Sequence, residues 1–161
     1  MTIASLSHWI EMTDLATTVR ESTLLYPIIM TLHLASISLF GGLILMTDLR
    51  LLGVTMQSTP APEVIARLRL WKRIGFVVMV TCGLLLATSK MDDYYPNPYF
   101  QIKMLLLALV GVHAVAFHGS VYGKRAAAEG GAAKLAGALS LVLWTGILSM
   151  GRWIAYYEAP K

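Results

Sequence analysis

Residues 22–53 read STLLYPIIMTLHLASISLFGGLILMTDLRLLG. Between Glu21 and Asp48 this stretch holds no Asp, Glu, Lys or Arg, an uncharged run of 26 residues. At about 1.5 Å per residue such a run outlasts a hydrocarbon core of roughly 30 Å, which makes it a membrane-crossing helix. Pro27 falls near its start, where the missing N–H costs no helical hydrogen bond. Inside the run lies one ionisable ring, His33. An imidazole at membrane depth is expensive to bury without a partner, so His33 is the first candidate functional residue.

Moving outward, the 21 residues before the run do not form a cleavable signal. They lack a basic start and an apolar centre, and they contain Glu11 and Asp14. Ile3, Leu6, Trp9 and Ile10 alternate with polar residues as in a short helix lying in the membrane interface, with His8 as a solvated residue on it. After the run, Ser58, Thr59 and Pro60 form a helix start, and PEVIARLRLWKR continues as an amphipathic segment leading into a second span. MDDYYPNPYF is a turn with an aromatic collar, and the loop KRAAAEGGAAK is small and flexible. The expectation is one all-α membrane domain over 1–161, a four-transmembrane-helix up-down bundle with spans at about 24–47, 72–90, 102–123 and 135–157. An N-terminal interfacial helix and the amphipathic segment between helices one and two complete it.

Composition agrees with a lipid bilayer as solvent. Of 161 residues 57% are hydrophobic and only 14% charged. The net charge of +4 is spread over the ends of apolar runs rather than gathered on a soluble face, which argues against nucleic acid. A single cysteine, Cys82, excludes an internal disulfide framework and a Cys-rich zinc site. Eight Lys and Arg fall in the two inter-span segments 48–73 and 124–134, against five in the termini and the 90–103 segment. The positive-inside bias then puts both termini on the non-cytoplasmic side of a bacterial inner membrane.

Two more histidines, His113 and His118, lie in the third span, which crosses in the same direction as the first. Two imidazoles from facing helices, with no carboxylate inside the apolar runs, suit a six-coordinate b-type haem better than a carboxylate-rich di-iron site. His118 shares its helix stripe with Gly111, Ala114 and Val115, which leaves room for a macrocycle, whereas His113 lies on the bulkier stripe of Leu106, Leu109, Val110 and Phe117. Depth favours His113, and face favours His118. Each residue also has a plainer reading. His33 can clasp a carbonyl, Ser36 or Thr145 across the bundle, His118 can face headgroups, and His113 can be a satisfied core histidine. Asp48 and Arg50, two residues apart, read as interface residues, with a functional ion pair as the alternative. Arg152 is a membrane anchor or a partner for haem propionates, and the nine Met residues raise a copper-handling alternative.

The combination of LYP with a following LH, then DLRLLG, NPYFQIKMLLLAL, FH and GRWIAY resembles an uncharacterised bacterial family of small four-helix inner-membrane proteins, a domain of unknown function. The resemblance covers about residues 5–157. It implies the four-helix architecture and no established activity. It also implies that His33 and His118 are the recurring pair, with Asn more usual at the site of His113. More distantly the arrangement is similar to membrane b-type cytochromes and copper-resistance permeases.

The function expected from these residues is an electron-transfer subunit rather than a stand-alone enzyme. One haem b held by His33 and His118, with His113 and Arg152 as further site residues, would pass single electrons between a quinol pool or partner subunit and an acceptor. Quinone is a second candidate ligand, and a redox partner, complex subunits or a second copy of the chain are the candidate partners. The alternatives are a cofactor-free accessory or structural subunit and a copper-handling membrane protein.

Overall fold

A computed structural model describes residues 2–122 and 130–157. The N-terminal part of the loop expected to be flexible, residues 124–129, lies outside the described residues. The chain forms helices α1 (Ile3–Glu11), α2 (Asp14–Glu21), α3 (Leu25–Leu51), α4 (Ala61–Ser89), α5 (Met91–Tyr94), α6 (Pro98–Ala116) and α7 (Gly130–Trp153). A π-helical turn, His118–Tyr122, follows α6, and a 3-10 turn, Ile154–Tyr156, follows α7. Four of these helices are long and apolar enough to cross a membrane. The architecture is all-α, as expected.

The ends of the helices have local causes. Gly53 adopts φ +77°, which a side chain resists, and this lets α3 close in a Schellman turn. Val54 N–H donates to the Leu49 carbonyl at 2.9 Å, and Gly53 N–H to the Arg50 carbonyl at 3.1 Å. Asn97 caps α6, its Oδ1 accepting from Tyr99 N–H at 3.0 Å and Phe100 N–H at 3.4 Å, with Pro98 in the first turn. The amphipathic segment and the second span are a single helix, α4. Past Ala116, the Gly119–Ser120 pair is poorly suited to an α-helix, and the chain opens into the π turn instead.

Packing proceeds in the order α4, α3, α7, α6: α3 packs against α4 and α7, and α6 packs against α7. Phe40 sits midway, its ring 5.8 Å from Phe76 of α4 and 5.2 Å from Trp144 of α7. Gly75 permits the approach, since a Cβ there would stand 3.2 Å from Phe40 Cβ. At the end of α3, Leu51 joins Ala61, Ile65, Val121, Ala133 and Ala136 in a buried cluster. The π turn thereby fastens the end of α6 to α4 and α7.

The N-terminal helices cover the opposite end of the bundle. Arg20 pairs with Glu11 at 2.8 Å, and Glu11 Oε2 accepts the Asp92 N–H at 2.7 Å. Ser7 Oγ–H donates to Asp92 Oδ1 at 2.8 Å, and His8 Nδ1 lies 2.9 Å from Asp92 Oδ2. His8 is thus exposed but engaged with α5, rather than solvated on its own. Two hydrogen bonds from His8 and Ser7 hold the Asp92 carboxyl below the ordinary aspartate value.

Candidate functional site around His33

His33 is half-buried on the inner side of α3. Its Nδ1–H donates to the Met79 carbonyl of α4 at 2.9 Å. A carbonyl can only accept, so in the neutral ring Nδ1 carries the proton and Nε2 holds the free lone pair. Gly83 makes room for the ring, because a Cβ there would stand 2.9 Å from His33 Cε1. The expected clasp is therefore present on a backbone carbonyl, while Ser36 turns its hydroxyl to the His33 carbonyl instead.

Lys103 of α6 is half-buried and acts on His33 through space. Its Nζ lies 3.7 Å from where a Cβ on Gly151 of α7 would stand. The two basic side chains come from helices that do not pack on each other, His33 lying against Gly83 of α4 and Lys103 against Gly151 of α7. No described ion pair involves Lys103. With the third span expected from about residue 102, Lys103 falls at its very start. The missed signal was the Asn-Pro cap, which starts α6 five residues earlier and carries Lys103 more than a turn inside.

The third-span histidines lie elsewhere. His113 donates Nε2–H to the Ala136 carbonyl of α7 at 3.0 Å, with its ring 5.0 Å from Phe117 and 5.9 Å from Tyr122. His118 is exposed at the start of the π turn. Phe40 faces Trp144, and Leu106 reaches within 3.1 Å of where a Gly146 Cβ would stand, so Phe40 and Leu106 mark one common level. His33 lies seven residues from Phe40 toward one end, and His113 and His118 lie seven and twelve residues from Leu106 toward the other. At 1.5 Å per residue the separation along the bundle is on the order of 20 Å or more. In this helix arrangement α7 stands between α3 and α6, and His33 lies at a different level from His113 and His118.

Arg152 is exposed, its guanidinium 4.9 Å from the centre of the Tyr156 ring and hydrogen-bonded to the Tyr156 hydroxyl. Asp48 is also placed differently from the interface position expected of it. It is 2% exposed, enclosed by α3, α4, α7 and the π turn. Among the described residues no three His, Cys, Asp or Glu side chains gather in a way that could hold a metal ion by themselves.

In comparisons with known proteins, the model of a family of unknown function, DUF6644, matches residues 7–157. The comparisons with curated proteins and with solved structures found no match.

Proposed function

We propose, for a chain that belongs to the family of unknown function DUF6644, that it is a membrane-embedded b-type haem protein carrying single electrons between the quinol pool, or a partner subunit, and an acceptor. The observation behind this reading is the state of His33. With Nδ1–H committed to the Met79 carbonyl, Nε2 is left as the basic atom and the ring is held against rotation, as is usual for a metal-bound imidazole. Gly83 gives the ring its seat against α4, and Lys103, close enough for its charge to act on His33, offers a cation to an anionic substituent.

A bound haem would supply the one-electron iron couple. The chain's own part is to orient His33, keep water away with the apolar walls of α3 and α4, and provide positive charge through Lys103. His118 and His113 are the residues to be tested for a second axial position, and Arg152 for propionates. Neither histidine shares the His33 level in this helix arrangement. The reading includes a bacterial inner membrane, with both termini on the non-cytoplasmic side.

A second reading rests on a specific observation. His33 and His113 each donate to a carbonyl of a neighbouring helix, which is what a cofactor-free structural subunit would need of them. A visible spectrum of detergent-purified protein separates the readings. A Soret band, joined by sharp α and β bands on reduction and lost in His33→Ala, supports the haem carrier. A colourless protein in which His33→Ala and His113→Ala only lower the melting temperature supports the structural subunit, and a colourless protein that retains copper supports copper handling.

A further inference from the structure

Asp48 has almost no contact with solvent, at 2% exposure, and neither does its neighbour Thr47, at 1%. The carboxyl is walled in by three other elements. From α7, buried Ser140 faces it, and the close approach at Gly137, where a Cβ would stand 3.0 Å from the Asp48 carbonyl oxygen, seals that side. From α4, Lys72 and Arg69 face the region, and from the π turn Tyr122 does. The nearest cation does not bond the carboxylate. Lys72 Nζ donates to Thr47 Oγ1 at 3.2 Å, and Arg69 donates to the Tyr122 carbonyl at 3.3 Å. Asp48 Oδ2 is left with no hydrogen-bond partner among the described residues.

An ionised oxygen in that position would have neither a hydrogen-bond donor nor a directly bonded cation among packed helices, a cost that taking up a proton removes. We propose that Asp48 is a proton-exchange site at the α3–α4 loop end of the bundle, binding a proton on Oδ2 and exchanging it with water past the half-buried Lys72, Arg69 and Tyr122. The step is a simple one: a hydronium proton passes to the carboxylate, one O–H bond forms, and water is released. Tyr122 and His113, with rings 5.9 Å apart, continue the polar line from Asp48 along α6. The inference does not depend on the haem reading, since both the proton-binding oxygen and its test belong to Asp48, which the haem reading does not use.

The chain has four aspartates, and Asp14, Asp92 and Asp93 are all exposed. A protonated aspartate at neutral pH can therefore be assigned without a mutation. Infrared spectra of the detergent-solubilised protein, grown with and without carboxyl-¹³C aspartate, are expected to show a protonated-carboxyl band at neutral pH that moves with the label. The band should shift in D2O, fade as the pH is raised, and be lost in Asp48→Asn. Absence of a label-sensitive band at neutral pH would show an ionised Asp48 and overturn the proposal. A band that persists in folded Asp48→Asn would overturn it too, and one that does not respond to D2O would overturn the exchange with water.

Discussion

The ring of His33 lies directly over Gly83, so close that a Cβ on that glycine would meet His33 Cε1 at 2.9 Å. The contact ties the candidate ligand to the helix that also accepts its Nδ1–H. Gly83→Ala should therefore displace the ring and break the bond to the Met79 carbonyl. In an open helix position the same change is worth up to about 1 kcal/mol of added stability. Here the clash wins, with a net loss of about 1–3 kcal/mol. Thermal unfolding in detergent checks this, with Gly41→Ala as the control, because nothing stands within 4 Å of a Cβ at Gly41. Equal stability of the two variants would show that the His33 ring moves aside freely.

Gly137 is the corresponding point between α3 and α7. A Cβ there would meet the Asp48 carbonyl oxygen at 3.0 Å and Leu51 Cβ at 3.2 Å. A backbone atom cannot rotate away as a ring can, so Gly137→Ala should separate the helices and cost about 1–3 kcal/mol. Hydrogen exchange should show the loss spreading to the cluster of Leu51, Ala133 and Ala136. A change confined to α7 would contradict it.

Asn97 both caps α6 and ties the connection to the end of α7, its Nδ2–H donating to the Ile154 carbonyl at 3.3 Å. It is buried, at 3% exposure. Asn97→Ala should cost about 1 kcal/mol from the cap, with a further loss of the tie to the Ile154 carbonyl, which then keeps only the Tyr157 N–H at 3.4 Å. Asn97→Asp, which keeps the acceptor and removes the donor, is expected to retain the cap and lose the tie. A chemical melt of the three proteins measures the order.

The docking of α1 on α5 should weaken in acid. Hydrogen bonds from His8 and Ser7 place the Asp92 carboxyl below its ordinary value when folded. The contribution is therefore complete above about pH 3.9, the ordinary aspartate value, and is lost as the pH falls through the lowered one. Faster amide exchange in α1 at low pH, abolished in Asp92→Asn, is the expected outcome. An α1 whose protection is independent of pH would remove the Asp92 hydrogen bonds from the explanation.

At the alkaline end the sign reverses. Burial pushes the phenols of Tyr94 and Tyr122 up, with Tyr26 adding to the first and Asp48 to the second. Both groups stay protonated in the folded chain beyond the ordinary tyrosine value of about 10, so stability present below that pH is lost as the pH climbs past it. An ultraviolet titration should show part of the tyrosine absorbance appearing late and together with unfolding. In Tyr122→Phe the late fraction should shrink.

The sequence by itself determined the solvent and the element plan. Uncharged runs of membrane length leave a backbone no choice but helix in lipid, since each carbonyl and N–H must be satisfied within its own segment. Charges at the run ends mark the spans nearly to the turn, as in α3, whose expected limit near residue 47 lies one turn before Leu51. His33 was legible for the same reason, as a polar ring where none is free to be. What the chain could not declare was which helices touch. Gly75, Gly83 and Gly137 let α3 lie close to α4 and α7, and that choice of neighbours separates His33 from His113 and His118. Asp48 shows the limit best: a charge at the end of an apolar run looks like a headgroup residue in one dimension. Only the approach of α4, α7 and the π turn encloses it, because burial depends on neighbours in space and local hydropathy reads only neighbours in sequence.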